Sequence, residues 1–360
     1  MSRLRVLVVD DSAFMRKVIG DMISAEPDLE LVGTARDGED GLKRIVELNP
    51  DIVTLDVEMP VLDGLSALEK IMVVRPTPVV MLSSLTREGA DATIIALERG
   101  AVDFVTKPSG PISLDIDKVR EELLAKVRMA ATARVGRVKK PVDFALPKPA
   151  QPIRRQLADQ PNVLALIGTS TGGPKALNEV VPRLPADFKA AVLIVQHMPP
   201  GFTRSLADRL NACSRIPVKE AEDGEEILGG KAYIAPGDYH LTVNRNHVSF
   251  PRFRVRLTKD PLVNGHRPSV DTMMLSAARE FPGRVVATIL TGMGRDGTEG
   301  MRAIKAENGF TIAEDQSTCV VYGMPRSVIE AACVDRVAPL YRVADEIVSA
   351  VSSPVWSKRD

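Results

Sequence analysis

Over the first third of the chain, short apolar runs alternate with longer amphipathic stretches. "LRVLVVD" precedes an amphipathic stretch at 13–24, "LELVGTA" one at 38–47, "DIVTLD" one at 64–73, "PVVMLSS" one at 88–98 and "DFVTKP" one at 115–128. Each run is strand-sized, and each stretch is long enough for three turns of helix. Five such pairs imply a parallel sheet covered by helices on both faces, an α/β domain over residues 1–122.

The alternation fails between residues 126 and 160. This window carries prolines at 141, 147, 149 and 152, and nine basic residues against two acidic ones. That composition suits a flexible linker, assigned to 123–160. Without interleaved aromatic residues, its charge does not make a nucleic-acid arm. Alternation resumes with "NVLALIG", "AAVLIVQ", "KAYIAP", "RVVATIL" and "FTIAED", the last after a helix-like stretch at 298–307. A second doubly wound, mostly parallel α/β domain is therefore expected over 161–355. Within it, "HLTVNRNHVSFP" alternates β-branched residues around an Asn-rich turn and predicts an inserted β-hairpin.

Composition narrows the function classes. The 360 residues, 44% apolar and 26% charged, can bury two cores. Lys plus Arg equals Asp plus Glu at 47 each, so no overall field steers the chain to nucleic acid or a membrane. Cys213, Cys319 and Cys333 form no C-x-x-C pair and read as buried thiols of a reducing compartment. With no signal-like or spanning segment, the expectation is a cytoplasmic protein, monomeric by default.

Candidate chemistry lies at strand ends. The first strand runs into Asp10 and Asp11, the third ends at Asp56, the fourth at Ser83 and the fifth at Lys107. In an open parallel sheet such ends meet in one crevice. Two like charges ~4 Å apart repel by about 4 kcal/mol at an effective dielectric of ~20, so three carboxylates call for a cation. All-oxygen ligands favour Mg²⁺. A carboxylate attacking a phosphoryl group needs positive charge on the transferred oxygens, which Mg²⁺, Lys107 and the Ser83 hydroxyl supply.

These residues closely resemble the receiver domain of two-component response regulators, over residues 4 to about 122. The resemblance implies a flavodoxin-like (βα)5 fold and phosphorylation of Asp56 by a histidine kinase of the CheA type. It also implies a metal held by Asp10, Asp11, Asp56 and the Glu58 carbonyl, with Ser83, Phe104 and Lys107 as switch residues.

In the second half, "LIGTSTGGPK" fits G-x-S-x-G, a sharp turn that lifts a serine hydroxyl above a sheet. The same glycines also suit a phosphate cradle at a helix N-terminus, or plain turn punctuation. A nucleophilic Ser170 needs a base, and there are four histidines. His197 closes the run "AAVLIVQH" and would sit beside Ser170 if their strands are neighbours. His240 and His266 are loop residues able to line the same cleft, and His247 belongs to a hairpin turn. Asp296, in "ATILTGMGRDG", is a candidate to orient the imidazole. Met293 and Thr171 are candidate oxyanion amides. The order Ser, His, Asp excludes the α/β-hydrolase fold.

From about 161 to 352 the chain resembles the catalytic domain of the bacterial chemotaxis methylesterases, the CheB family. The likeness rests on "GTSTGGP", "VQHMPPGFT", "APGDYHL", "NGHRPSVD", "LTGMGRDG" and "AEDQSTCVVYGMP". Thr169 stands where other members often have alanine. The resemblance implies a Ser170, His197, Asp296 triad with the Met293 amide as oxyanion donor. It implies hydrolysis of glutamyl methyl esters, and deamidation of glutamines, on the cytoplasmic helices of chemoreceptors, with no cofactor for the esterase step. The rival reading is a receiver-controlled module that binds phosphate or a nucleotide without covalent chemistry, although "GTSTGGPK" is too short for a P-loop. No helix-turn-helix or basic recognition helix supports a transcription factor.

Overall fold

The computed structural model describes residues 3–107, 116–133, 161–245 and 253–353. The chain forms two compact units, one on each side of residues 143 and 144. In the first, β1 (Leu4–Val9), α1 (Ala13–Ser24), β2 (Leu29–Ala35), α2 (Gly38–Leu48), β3 (Ile52–Asp56), α3 (Gly64–Val74), β4 (Val79–Ser83), α4 (Arg87–Glu98), β5 (Asp103–Thr106) and α5 (Ile116–Ala130) alternate strictly. The strands pair in parallel in the order β2-β1-β3-β4-β5. From β1 the chain goes first to one side and then to the other, which opens a crevice beyond the C-terminal ends of β1 and β3. Each of the first four helices starts at a capping side chain, Ser12, Asp37, Asp63 and Thr86 in turn, which accepts a backbone N–H from the residue three positions on.

The helix α5 runs past residue 122, so the first residues assigned to the linker belong to the domain. Their positive charges are paired: Lys126 Nζ lies 2.6 Å from Glu122 Oε1 and 3.4 Å from Asp103 Oδ1, and Arg128 bridges Glu26 and Asp28. Val127 and Ala130 of the same helix are fully buried. Basic residues that read as linker charge are helix positions with acidic partners across the fold. The rest of the assigned linker, 134–160, lies outside the described residues.

The second unit contains β6 (Val163–Thr169), α6 (Gly173–Val180), β7 (Ala191–Gln196), α7 (Phe202–Cys213), β8 (Val218–Glu220), β9 (Ala232–Ile234), β10 (His240–Arg245), β11 (Phe253–Thr258), α8 (Val270–Glu280), β12 (Arg284–Ile289), α9 (Thr298–Ala306), β13 (Phe310–Glu314), α10 (Met324–Glu330), β14 (Arg336–Ala338) and α11 (Leu340–Ser352). Seven strands pair in the order β14-β13-β12-β6-β7-β9-β8, and every described pairing in that sheet is parallel. The two short edge strands β8 and β14 carry too few residues to show in the sequence pattern. The expected hairpin exists as the antiparallel pair β10 and β11, a separate two-stranded sheet. Its second strand starts at Phe253, and the connecting residues, His247 among them, lie outside the described residues.

The central strands β6 and β7 are buried along their whole length, as their unbroken apolar runs require. The strand order again reverses beside the first strand: β6 to β7, β9 and β8 builds one side, β12 to β13 and β14 the other. The crevice between β6 and β12 is where such a fold presents its chemistry.

Candidate active site

Three residues leave the C-terminal ends of three adjacent strands, β7, β6 and β12. Ser170 follows β6, His197 follows β7 and Asp296 lies in the loop after β12. His197 Nε2 is 2.8 Å from Asp296 Oδ2, both side chains being almost fully buried. The carboxylate facing Nε2 holds the ring proton there and leaves Nδ1 as the basic nitrogen. Nδ1 is buried with no hydrogen-bond partner among the described residues, so its link to the Ser170 hydroxyl is not closed in this conformation. Such contacts often close only when substrate is bound.

The turn that carries Ser170 is held from three sides. Its amide donates to the Thr291 carbonyl (3.1 Å), and its carbonyl accepts from Gly173 N (2.8 Å) and from Gln196 Nε2 (2.9 Å). Gln196 also donates to the His197 carbonyl (3.2 Å), so one amide fixes the backbone of both residues. The left-handed residue here is Gly172, at φ 77°, two positions beyond the serine. The Gly292 backbone passes so close that a Cβ there would lie 2.8 Å from the Ser170 Cβ. That approach brings Met293 next to the serine. The Met293 amide donates to no group among the described residues, and its side chain is exposed. Thr171 is buried, and its carbonyl accepts from the Thr291 hydroxyl (3.0 Å).

Asp296 gathers more donors than the sequence suggested. Besides His197, it accepts from Val270 N (2.7 Å), Ser269 Oγ (2.9 Å), Asp271 N (3.1 Å) and Asn264 Nδ2 (3.1 Å). Two of these are first-turn amides of α8, so the carboxylate also serves as an anion at that helix N-terminus. Burial works to raise its pKa, but the bond and charge of His197, with the Val270 amide and Asn264, hold it below the ordinary carboxylate range. Its neighbour Asp271 goes the other way, to about 6, through burial and the charge of Asp296, against the Gly300 amide and Asn264.

His240 does not line the cleft. It is fully buried, accepts from Ser269 N at Nδ1 (3.2 Å) and faces the Pro261 carbonyl at Nε2 (3.1 Å). It supports the residue that supports Asp296, because its alternating apolar neighbours Leu241 and Val243 make it the first residue of a strand rather than part of a loop. His266 does reach the site and stacks on His197. Asn264, Ser269 and Asp271 had no role assigned in advance, although "NGHRPSVD" stood out. Ser269 before an apolar helical run is a readable N-cap signal. Buried Glu314 was missed altogether; it accepts from Thr291 N (2.8 Å) and the Thr318 hydroxyl (3.0 Å) and braces the loop that leads to Met293.

In the first unit Asp10, Asp11 and Asp56 each place a carboxylate oxygen within 4.8 Å of the others. Three hard oxygen donors around a crevice fit a Mg²⁺ ion that retains water ligands. Lys107 Nζ lies 2.9 Å from Asp10 Oδ2 and 2.6 Å from Asp56 Oδ2. Burial pushes Asp56 up to about 6 against the pull of Lys107. The Glu58 amide faces Asp56 Oδ1 at 3.4 Å, and its side chain is exposed. The Ser83 hydroxyl is turned to α4, donating to Gly89 O (3.1 Å) and accepting from Thr93 Oγ1 (2.7 Å). Phe104 is buried, with Lys126 Nζ 5.0 Å from its ring centroid.

Comparison with known proteins shows the family. The profile of the CheB methylesterase family matches residues 165–347, and that of the response regulator receiver domain matches 6–116. A protein-glutamate methylesterase/protein-glutamine glutaminase of Symbiobacterium thermophilum is 52% identical over 357 residues, covering 97% of each chain. The chain belongs to the CheB methylesterase family.

The family extends to a 47% identical methylesterase/glutaminase of Thermotoga maritima, aligned over 97% of this chain and 98% of the relative. The crystal structure of the catalytic domain of Thermotoga maritima CheB methylesterase superposes with a TM-score of 0.50, at 47% identity, over 52% of this chain and 97% of that one. Among the described residues of this CheB-family chain, no helix is long and apolar enough to cross a membrane.

Proposed function

We propose that this protein hydrolyses glutamyl methyl esters, and deamidates glutamines, on the cytoplasmic helices of chemoreceptors, under the control of phosphorylation at Asp56. The observation that carries the chemistry is the 2.8 Å contact between His197 and Asp296 at the crevice that holds Ser170. Ser170 Oγ attacks the ester carbonyl carbon as its proton passes to His197 Nδ1. Negative charge on the carbonyl oxygen is met by the Met293 amide, with Thr171 as the second donor. Collapse breaks the bond to the methoxy group, which takes the proton from His197 and leaves as methanol. A water then gives its proton to His197, attacks the acyl carbon and frees glutamate, and Ser170 regains its proton. With a glutamine the leaving group is ammonia. Each event adds one negative charge to a receptor helix, a change suited to resetting a signalling state.

In the receiver, Asp10, Asp11, Asp56 and the Glu58 carbonyl would hold Mg²⁺. Such an ion would supply positive charge for the phosphoryl oxygens during transfer from a histidine kinase. Asp56 accepts the phosphoryl group, Lys107 pairs with it, and Ser83 exchanges its bond to α4 for a phosphoryl oxygen. Phe104 reports the change. The unphosphorylated receiver restrains the esterase, at the high effective concentration that a linker provides. The protein acts in the cytoplasm, as a monomer.

A fluorophosphonate probe tests the nucleophile. Covalent labelling should map to Ser170 by mass spectrometry and vanish in His197→Ala; a folded protein that takes no label at Ser170 contradicts the reading and favours a phosphate-binding module. Removal of residues 1–140 should raise basal turnover. Unchanged or lower turnover contradicts restraint by the receiver.

A further inference from the structure

His266 lies against the base of the proposed reaction. Its ring stacks on that of His197 with centroids 3.8 Å apart and planes inclined by 15°. The segment that delivers it is rigid. Val263 N donates to the His266 carbonyl (3.1 Å) and His266 N to the Val263 carbonyl (2.9 Å). Between them Asn264 and Gly265 take φ 52° and 81°, the pair of left-handed residues of a type I′ turn. The Asn264 amide ties the turn to both Asp271 (2.9 Å) and Asp296 (3.1 Å). On the far side Arg267 is bound to Asp238 and to the carbonyls of Lys259 and Asp260. One tight turn therefore holds Asn264 on the orienting acid and His266 on the face of the base.

The stack matters because it adds a flat face to what holds the His197 ring. Among the described residues the ring makes one hydrogen bond, at Nε2, and that bond by itself does not set the rotation of the ring about the contact. A flat group at van der Waals distance limits that rotation and so restricts the direction of Nδ1. When His197 takes the serine proton it becomes a cation, and an aromatic face next to it stabilises that charge. The first pre-orients the base and the second arises only as the proton is transferred, so both act on turnover rather than on substrate binding.

We infer that His266 is a positioning residue of the esterase reaction, acting through its ring face on His197. The inference rests on the Ser170, His197, Asp296 reading given above. It is tested with the full-length protein, measuring methanol release from methylated receptor membranes in three variants at position 266 and one at 197.

His266→Ala should lower kcat by about tenfold with KM within about twofold, the scale of a lost cation–π contact. His266→Phe, which keeps a flat ring, should recover most of that loss. His266→Leu, similar in bulk but without a ring face, should not. Circular dichroism and melting of each variant establish that it is folded. A rise in KM at constant kcat would assign His266 to substrate contact and overturn the inference. So would His266→Phe as slow as His266→Ala, or wild-type turnover in His266→Ala. His197→Ala separates this from the underlying reading: full activity there refutes the triad itself, whatever position 266 does.

Discussion

His197 and Asp296 stand 99 positions apart, yet Nε2 and Oδ2 meet at 2.8 Å. The meeting follows from strand order. β7, β6 and β12 are consecutive in the sheet and parallel, so the residues just past their ends share one edge. The Thr169 carbonyl accepts from His197 N (3.2 Å), and Gly168 O accepts from Leu290 N (2.9 Å), which locks the three ends in register.

Replacing Asp296 by Asn should damage both rate and stability. The carboxylate accepts from five donors, and an amide group would turn an N–H₂ towards some of them. Loss of the fixed tautomer should cost about 10³–10⁴ in kcat. The unpaired buried donors should cost about 2–4 kcal/mol, read from denaturant unfolding. A variant with normal stability and more than a tenth of the wild-type rate contradicts this role.

Asp271 gives the catalytic unit a measurable pH signature. Its native pKa is raised to about 6 from 3.8, so the folded chain holds a proton that the unfolded chain releases. Stability from this group is full below the unfolded value and is lost as pH rises towards 6. Asp271→Asn lacks that term. The stability of the Asn variant relative to wild type should therefore improve between about pH 4 and pH 7, by up to about 2 kcal/mol. Unfolding curves whose difference is constant over this range would contradict the shift.

The sheet, the switch point and the strand-end residues were legible in the sequence because continuous apolar runs reveal buried parallel strands. Ser170, His197 and the Asp10, Asp11, Asp56, Lys107 set sit at or just past the ends of such runs, and Asp296 lies in the loop that follows one. What stayed hidden has no periodic signal. Asn264 sits in an isolated turn, Gln196 looks like a strand residue, and Glu314 is an acid at the end of β13 with nothing nearby in sequence to announce Thr291 as its partner; His266 reads as a candidate for the cleft, but nothing in the sequence shows that its ring stacks on His197. The helix end at Ala130 was blurred because Arg128 finds its counter-charges at Glu26 and Asp28, far away in the chain, as Lys126 does in part at Asp103.

Gly292→Ala should disable the site without touching any reacting group. Its added Cβ would meet Met324 Sδ and lie 2.8 Å from the Ser170 Cβ. Relief requires the Ser170 turn and the Met293 loop to move apart, and a displacement near 1 Å is enough to cost about 10²-fold in rate. Wild-type kinetics in this variant would show that the close approach has no bearing on catalysis.

In the receiver, Lys107 is the counter-charge for two buried carboxylates. Lys107→Met should destabilise that unit by about 3 kcal/mol, since removal of one partner strands buried charge. Added Mg²⁺ should restore part of the loss, because a ligand of the native state stabilises it by mass action. The melting temperature of the variant should therefore rise more with Mg²⁺ than that of wild type. A melting temperature that Mg²⁺ leaves unchanged in both proteins contradicts a cation site at Asp10, Asp11 and Asp56.

The central claim is that Ser170 carries an ester hydrolysis governed from Asp56. Methanol release from methylated receptor membranes, with and without a small-molecule phosphodonor, tests both halves at once in wild type, Ser170→Ala and Asp56→Asn. The account predicts stimulated release by wild type, none from Ser170→Ala under either condition, and no stimulation of Asp56→Asn. Methanol released by folded Ser170→Ala at a rate near that of wild type would contradict it.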